Sequence, residues 1–532
     1  MGLCRRFVRT AASAASSVTS SSSDWASASA ASPPAPSREL LAALRAVQLA
    51  SRATESVARR LAAGGGAGSR SKDDGSPVTV ADLAAQALVA WSLWRDLGAR
   101  PRLVAEESAD RLRAQEGRGL ARQVFEEVRA AVEAEERAQE TGGDGRRDAA
   151  PPAVGAAAPP PPTSVSAVLD LIDVGSADAD FAGRASASAS ADALSSDSST
   201  APPPALADAP SPASPSPLPL SSPSSRAAGV SPPPSPWWLL DPVDGTRGFL
   251  AGRAYAIALS LIDPVSGNAL LGVLGCPTLA VVRGEGGEGL AGGAGVGAAE
   301  GAPSARAAAP AAARAPGLDV CALSPLERAE LATGGALAFA ETGRGAWAAE
   351  LWGSRSRATE VRVHSCAGSP PPFLLEGAVR LRASGLSSRL TTSAEARHGD
   401  APLAERAAAL AGLGAPSLRL DSQAKYALVA AGSAVAYCRL PRLEGGHVEK
   451  TWDHAAGEVI VREAGGRVVD GAGRALDFSE GAALAVRAGG TATAAAGGGD
   501  AQGPIRAIVA APEKELKALL AALRQVAPDR AA

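Results

Sequence analysis

An apolar run leads into two aspartates between residues 237 and 249, which read WWLLDPVDGTRGF. The run predicts a buried strand that ends at Pro242 and at the glycine turn after it. Asp241 and Asp244 would then lie at the strand's end, where two hard carboxylate oxygens can converge on a cation such as Mg²⁺. Thr246 places a hydroxyl beside them. The alternative for the Asp-Gly pair taken alone is a solvated turn.

Three further acids stand at the ends of predicted elements. Asp82 begins a predicted helix, Glu106 ends a short predicted strand, and Asp453 opens another helix. The alternative for Asp82 is a helix N-cap, where a carboxylate is favoured. The alternative for Glu106 is ordinary solvated surface.

Together these residues could support phosphoryl hydrolysis. Mg²⁺ prefers carboxylate oxygens, water and substrate phosphate, and paired metals can clamp the attacking and leaving oxygens. Thr246 would orient the attacking water, and Asp82 would take its proton. Spacing along the chain does not show that the acids converge. The carboxylates of a single multi-metal cluster would be Glu106, Asp241, Asp244 and Asp453.

Hydrophobic periodicity predicts the elements that position these residues. Helices are predicted at 38–61, 82–97, 120–139, 402–412 and 512–526, the last with Pro512 in its first turn. A hairpin is predicted from 255–262 and 269–275, with further strands at 336–352, 360–366 and 505–511. Residues 418–439 predict a strand, a helix and a strand, and 450–461 predict a helix that ends at the glycine pair 465–466.

Four low-complexity segments interrupt this pattern, near 141–164, 184–235, 284–316 and 486–503. They are rich in Ala, Gly, Ser and Pro, and cannot bury enough apolar surface to offset their ordering entropy. We therefore predict disordered insertions in surface loops, where extra length costs little. Between the first two, residues 165–175 predict a short structured segment.

The N-terminal residues 1–37 have the composition of a targeting segment. They carry three arginines and one acid, Asp24, among many Ser and Ala residues. This predicts an organellar transit peptide, for a chloroplast or a mitochondrion. The alternative is a disordered tail on a cytoplasmic protein.

Composition excludes several function classes. The net charge of −3 over 532 residues does not favour a general nucleic-acid binder. The chain has no uninterrupted apolar stretch of about 18 residues, so we expect no transmembrane helix. The five cysteines form no CxxC pair, which predicts neither a zinc site nor a disulfide framework. Cys276 and Cys438 are expected to be buried thiols.

The motif D-P-V-D-G-T-x-x-F at 241–249 resembles the metal-binding signature of the lithium-sensitive inositol monophosphatase superfamily. Further motifs occur in the order typical of one branch, the 3′(2′),5′-bisphosphate nucleotidases. They are SPVTVAD (76–82), VAEES (104–108), LGVLGCP (271–277), LDSQAKY (420–426), WDHAAG (452–457) and AGGRVVD with LDFS (464–479).

This resemblance implies an α/β fold, a layered αβαβα sandwich of two subdomains. An α+β subdomain (38–360) would carry most of the metal site. An α/β subdomain (361–530) would carry Asp453 and the nucleotide-binding residues.

The resemblance also implies a role for each matching residue. Asp82 and Thr246 would activate the water. The nucleotide would be held by Gly245, Thr246, Ser422, Lys425 and Arg439. Two or three Mg²⁺ ions would be bound by Glu106, Asp241, the backbone carbonyl of Val243, Asp244 and Asp453.

Some of these assignments have open alternatives. Lys425 and Arg439 could be ordinary surface cations. His454 could orient Asp453 or cap a helix, so it is left out of the predicted site. Between 368 and 418 the match is thin, and His398 is a candidate without an assigned role.

The activity implied is Mg²⁺-dependent removal of the 3′-phosphate of 3′-phosphoadenosine 5′-phosphate, and conversion of 3′-phosphoadenylyl sulfate to adenylyl sulfate. Li⁺ would inhibit it. The alternatives are an inositol (poly)phosphate 1-phosphatase and a catalytically silent nucleotide sensor. The expected partner is a small nucleotide, with no nucleic-acid polymer and no membrane, and the protein is expected to be a monomer.

Overall fold

The computed structural model describes most of the chain outside the low-complexity segments. The described residues are 36–66, 68–71, 77–141, 159–175, 235–284, 287–292, 335–351, 379–381, 383, 387–395, 399–441, 448–487 and 505–530. Within these ranges, no helix is both long and apolar enough to cross a membrane.

Ten α-helices lie in the described ranges. In chain order they are α1 Arg38–Ala62, α2 Val80–Leu97, α3 Asp110–Arg113, α4 Arg118–Thr141, α5 Val165–Ile172, α6 Thr246–Leu250, α7 Ala401–Leu410, α8 Ala424–Ala430, α9 Ala455–Glu463 and α10 Glu513–Val526. Short 3₁₀ turns occur at Gln115–Gly117, Thr451–Asp453 and Pro528–Arg530.

The strands form two large sheets and three two-stranded ones. In chain order they are β1 Arg70–Ser71, β2 Pro77–Val78, β3 Leu103–Ala105, β4 Trp237–Asp244, β5 Ala256–Ile262, β6 Ala269–Cys276, β7 Leu279–Gly284, β8 Gly287–Gly292, β9 Ala336–Glu341, β10 Gly345–Glu350, β11 Val379–Arg380, β12 Arg389–Ser393, β13 Ala415–Leu420, β14 Ala436–Arg439, β15 Gly466–Asp470, β16 Leu476–Asp477, β17 Ala485–Val486 and β18 Ile508–Pro512. The seven-stranded sheet has the order β11-β10-β9-β6-β5-β4-β3, and the five-stranded sheet the order β13-β12-β14-β18-β15.

The two sheets alternate with three helical layers. Helices α1 and α2 share a core with one face of the seven-stranded sheet. Helices α8 and α9 lie between the two sheets, in a core that both sheets line. Helices α7 and α10 cover the outer face of the five-stranded sheet. This order of layers confirms the predicted αβαβα sandwich.

Several predicted elements are confirmed within a few residues. These are the first helix, the hairpin of β5 and β6, the strands β9 and β10, and the strand–helix–strand order of β13, α8 and β14. Cys276 and Cys438 are free and buried, as predicted. Pro512 was placed in the first turn of α10, but it is the extended N-cap residue before it, because its missing N–H suits a strand end.

Two of the predicted disordered insertions contain structure at their edges. Within 284–316, β8 pairs with β7 in an antiparallel hairpin, so that prediction was wrong for Gly287–Gly292. Within 141–164, the carbonyl of Pro160 accepts a hydrogen bond from the Trp91 indole at 3.3 Å. The first case is a local hairpin pairing, and the second is a hydrogen bond to a residue 69 positions away. Both pair backbone groups of segments that have little apolar surface of their own.

Other predictions lie outside the described residues. The strand at 360–366, the subdomain boundary at 360, His398 and nearly all of the 184–235 insertion fall there. So do residues 1–35 of the predicted transit peptide. These stay predictions. Ser37 is the N-cap of α1 and accepts a hydrogen bond from the backbone N–H of Leu40 at 3.0 Å.

Gly272 shows how closely the middle helical layer packs on the seven-stranded sheet. A Cβ atom at this position would lie 2.6 Å from Val459 Cγ1 and 2.7 Å from the carbonyl oxygen of Ala456, both in α9. The helix that follows Asp453 therefore rests directly on β6. This contact couples the two large sheets at the site described below.

We predict that Gly272→Ala lowers the free energy of unfolding by roughly 1–3 kcal/mol, because the added methyl overpacks a rigid backbone contact. Thermal and urea denaturation would measure it. Gly119→Ala is the matched control, since a Cβ there meets nothing within 4 Å. The packing account fails if Gly272→Ala is as neutral as Gly119→Ala.

Candidate active site

Glu106 and Asp241 lie at the ends of neighbouring parallel strands. Strand β3 pairs with β4 in parallel, with Ala105 opposite Leu240. Glu106 and Asp241 are the next residues on their strands, so they lie side by side at the carboxyl edge of the sheet. The pairing joins segments more than 130 residues apart in sequence, which is why spacing alone could not reveal it.

A bulge in β4 places Asp241 and Asp244 on one side of the sheet. Asp241 pairs with Ala258, and Asp244 pairs with Ala256. An advance of three residues along β4 therefore corresponds to an advance of two residues along β5. In a regular strand, residues three apart point to opposite faces, and the extra bulge residue restores a shared face. The strand therefore continues through Pro242, and the predicted end at that residue was wrong. Proline suits the bulge because it has no N–H to pair.

Asp82 lies on the capping box of α2. Thr79 is the N-cap, and Asp82 Oδ2 accepts hydrogen bonds from the backbone N–H of Thr79 at 2.9 Å and from its hydroxyl at 2.6 Å. The sequence had placed Asp82 itself at the N-cap as the alternative role. It is instead the third residue of the helix, with its second oxygen directed away from the cap.

That second oxygen meets Thr246. Thr246 Oγ1 lies 3.0 Å from Asp82 Oδ1 and 3.1 Å from the carbonyl oxygen of Val243. A hydroxyl that donates to a carboxylate presents its lone pairs to other donors, such as a water. The structure therefore joins the two residues predicted to activate water, across 164 positions of sequence.

A strained turn that follows β13 contacts Asp244. Ser422 has a φ of 69° and is the only residue other than glycine with positive φ in the described part of the chain. The backbone N–H of the next residue, Gln423, donates to Asp244 Oδ2 at 2.5 Å. Gly245 also has positive φ, 87°, and a Cβ there would lie 3.3 Å from Ser422 N. Glycine thus allows the two turns to approach each other.

Asp453 ends the 3₁₀ turn before α9 and lies beside a buried polar network. Ligand atoms of Glu449, Asp453 and His454 lie within 4.8 Å of one another. His454 Nδ1 lies 2.7 Å from the Tyr426 hydroxyl, and His454 Nε2 lies 3.2 Å from Glu449 Oε2. Both ring nitrogens of His454 therefore have protein partners, which favours an orienting role over metal binding.

Lys425 is buried, Arg439 is mostly buried, and both have internal partners. Lys425 Nζ donates to the carbonyl oxygens of Ser422 at 2.6 Å and Leu420 at 3.2 Å. Arg439 forms a two-point salt bridge with Glu449: Nε lies 2.8 Å from Oε1, and Nη2 lies 2.7 Å from Oε2. Neither is the ordinary surface cation of the alternative reading. The structure does not test their predicted contact with a nucleotide.

The pKa values of Asp244, Asp453 and Lys425 are shifted from their ordinary values. Burial raises the pKa of Asp244 to about 6, and the charge of Glu106 raises it further against the opposing effect of Lys425. Burial raises the pKa of Asp453 to about 7, with the charge of Asp244 as the next cause. Burial also lowers the pKa of Lys425 to about 8, and Asp244 opposes that shift. The charge of Asp244 therefore interacts with the charges of both Glu106 and Asp453. These three acids are called the acid cluster below.

This arrangement fits Mg²⁺. The predicted ligands Glu106, Asp241, Val243, Asp244 and Asp453 offer only oxygen atoms, as Mg²⁺ prefers. Buried acids that raise one another's pKa resist ionisation unless a cation lies among them. The cluster of charges is therefore suited to a bound divalent cation, with Lys425 and Arg439 behind it.

Comparison with known proteins decides the family. A profile described as "Inositol monophosphatase family" matches residues 220–528, more than half of the chain.

The chain belongs to the inositol monophosphatase family.

Two curated relatives show where in this family it stands. A protein of Oryza sativa named 3'(2'),5'-bisphosphate nucleotidase is 30% identical over 446 residues, 83% of this chain and 86% of that protein. One of the same name from Emericella nidulans is 29% identical over 454 residues, 85% of this chain and 93% of that protein. The solved structure of Mycobacterium tuberculosis SuhB aligns with 56% of this chain and 74% of its own, at 21% identity and a TM-score of 0.28.

As a member of the inositol monophosphatase family, the protein is a phosphatase, and the family is generally Mg²⁺-dependent. The family match begins at residue 220, so it covers Asp241, Val243, Asp244 and Asp453 but not Asp82 or Glu106. The structure brings those two N-terminal acids to the same site through Thr246 and β4.

Sequence reasoning gave no role to three buried polar residues of this family member's site. Gln86 donates to the carbonyl oxygen of Glu107 at 2.7 Å and so fixes the backbone after Glu106. Gln423 and Glu449 make the contacts described above. Only Gln423 lies inside one of the quoted motifs, LDSQAKY, so the sequence offered a signal for that residue and none for Gln86 or Glu449.

We predict that Thr246→Val lowers kcat by roughly 10²–10⁴-fold, because the hydroxyl between Asp82 and the water is lost. Thr246→Ser keeps the hydroxyl and should retain most activity. Steady-state kinetics with any phosphate ester that the wild type hydrolyses would measure both. Equal loss in the two variants would contradict the assigned role of the hydroxyl, because Thr246→Ser retains it.

We predict that Mg²⁺ stabilises the protein more at pH about 8 than at pH about 5. Because Asp244 and Asp453 have raised pKa values in the folded state, the metal-free protein loses stability as pH rises from about 4 towards 7. Mg²⁺ binds their ionised forms and offsets that loss. Thermal denaturation with Mg²⁺ and with a chelator would measure the difference.

The control for this experiment is Asp470→Asn, which changes a buried acid paired with Arg474 at 2.7 Å, outside the predicted site. It should keep the pH-dependent Mg²⁺ effect, and Asp453→Asn should lose most of it. An effect of Mg²⁺ that is equal at both pH values would contradict the assignment.

Proposed function

We propose that the protein is a Mg²⁺-dependent nucleotidase that removes the 3′-phosphate of 3′-phosphoadenosine 5′-phosphate, giving AMP and phosphate. The observation that supports phosphate-ester hydrolysis is the hydrogen bond between Thr246 and Asp82 beside the acid cluster. The names of the relatives at 29–30% identity support the substrate class. Conversion of 3′-phosphoadenylyl sulfate to adenylyl sulfate would be a second activity of the same site.

In this reaction Thr246 holds the attacking water and Asp82 accepts its proton. The water oxygen forms a bond to phosphorus, the bond from phosphorus to the 3′ oxygen breaks, and solvent supplies a proton to the leaving oxygen. The capping box keeps Asp82 in place, since Thr79 occupies one carboxylate oxygen. Bound Mg²⁺ would neutralise the charge of the phosphate and of the transition state.

The second phosphate of the substrate calls for cations beyond the metal. Lys425 and Arg439 supply two buried positive charges next to Asp244 and Asp453, and Ser422 lies in the turn between the acids and Lys425. An open cleft of about 570 Å³ adjoins this region and is lined by Arg70, Arg247 and Arg253. Arg247 directly follows Thr246 in sequence, and Arg253 is paired with Asp421 and Glu395. We infer that Arg70 and Arg247 could contact the part of the substrate that lies outside the acid cluster.

The same site would belong to an organellar enzyme if residues 1–37 direct import. This proposal rests on the composition of that segment. Fractionation of cells that express the full chain with a C-terminal tag would test it, and a cytosolic signal would contradict it.

We predict Mg²⁺-dependent, Li⁺-sensitive phosphate release from 3′-phosphoadenosine 5′-phosphate, in preference to inositol 1-phosphate and inositol 1,4-bisphosphate. Asp241→Asn should abolish turnover and leave the fold intact, because it removes a metal ligand. Asp263→Asn is the matched control, since Asp263 lies in the exposed turn between β5 and β6 and accepts a bond from Val265 N–H at 3.1 Å.

Each other result of this assay has a defined meaning. Preference for an inositol phosphate would keep the metal site and overturn the substrate. Nucleotide binding without turnover of any substrate would support the silent sensor. Activity of Asp241→Asn near that of the wild type would overturn the metal site itself.

A further inference from the structure

Gln423 contacts both halves of the acid cluster. Its backbone N–H donates to Asp244 Oδ2 at 2.5 Å, at the end of β4. Its side-chain Nε2 donates to the carbonyl oxygen of Trp452 at 2.7 Å, one residue before Asp453. Its Oε1 accepts from the N–H of Gly457 at 3.0 Å, in the first turn of α9. One buried residue thus connects the end of β4, which carries Asp244, with the turn before α9, which carries Asp453.

The backbone around Gln423 is held in a conformation that serves this bridge. Ser422 has positive φ, a conformation that costs a residue with a side chain some strain. Lys425 Nζ holds the carbonyl oxygens of Leu420 and Ser422, and Ala424 N–H donates to Ser422 Oγ at 3.2 Å. These bonds fix the turn so that the next N–H points at Asp244.

The bridge needs an amide rather than an acid. The side chain must donate at one end, to a carbonyl oxygen, and accept at the other, from an N–H. A carboxylate accepts at both ends, so it would repel the Trp452 carbonyl and add a negative charge to the acid cluster. An alanine would leave two buried backbone groups without partners.

We propose that Gln423 is a positioning residue that sets the separation of Asp244 and Asp453, and with it the affinity of the site for Mg²⁺. The inference rests on the proposed metal site and deepens it. Asp244 and Asp453 repel each other across the junction, and the side-chain bridge opposes their separation. Partners of metal ligands typically change metal affinity by about 10–100-fold when removed.

The test uses Gln423→Glu and Gln423→Ala, which both keep the backbone N–H that contacts Asp244. Mg²⁺ binding to the metal-free protein is measured by calorimetry, well below the melting temperature. The expected result is a Kd for Mg²⁺ that is raised by roughly 10–100-fold in both variants. The Mg²⁺ concentration for half-maximal activity should rise in parallel.

Asp400→Ala is the control for a purely structural effect. Asp400 caps α7 in the outer helical layer, where its Oδ1 accepts from Leu403 N–H at 3.0 Å. This variant should lower the melting temperature and leave the Kd for Mg²⁺ unchanged. Gln423 variants that behave in the same way, with a lower melting temperature and wild-type Mg²⁺ affinity, would overturn the proposal.

The calorimetric result does not depend on the nucleotide. If the wild type binds Mg²⁺ but does not hydrolyse 3′-phosphoadenosine 5′-phosphate, the proposed substrate is wrong and the role of Gln423 is still decided. If the wild type does not bind Mg²⁺, the positioning role is overturned together with the metal site.

Discussion

Mutual repulsion among buried carboxylates is the constraint on which the rest of this structure depends. Asp244 lies at the end of β4, and Asp453 lies in the 3₁₀ turn before α9, the helix between the two sheets. After burial, the charge of Glu106 raises the pKa of Asp244, and the charge of Asp244 raises the pKa of Asp453. Such a group of charges is unfavourable in a protein interior unless a cation compensates it. The fold holds them together because a metal-dependent phosphatase needs them in one place.

Backbone geometry contributes to the position of four of the acids. Parallel pairing of β3 and β4 aligns Glu106 with Asp241, and the bulge at Pro242 turns Asp244 to the same face. A capping box holds Asp82, and a turn with positive φ at Ser422 presents an N–H to Asp244. Neutral donors of this kind position a carboxylate without cancelling the charge that a metal requires.

Hydrophobic periodicity predicted most of the helices and strands because it is a local signal, whereas the order of the layers was implied only by the resemblance to a known family. Five of the predicted site residues lie at or near element ends, as expected: Asp82, Glu106, Asp244, Thr246 and Asp453. Asp241 instead lies inside β4, because the strand continues through Pro242. The sequence could not predict the bulge through Pro242, since proline more often ends a strand than bends one. It could not predict the contacts of Gln423, because its partners Asp244 and Trp452 lie 179 and 29 residues away. The long insertions leave β3 and β4 paired because closing a longer loop costs only slightly more.

The most direct measurement is the anomalous X-ray signal of crystals soaked with Mn²⁺ as a substitute for Mg²⁺. The account predicts manganese among Glu106, Asp241, Asp244 and Asp453, with the carbonyl oxygen of Val243 as a further ligand. Manganese bound instead by Glu449 and His454, or no manganese beside the end of β4, would contradict it.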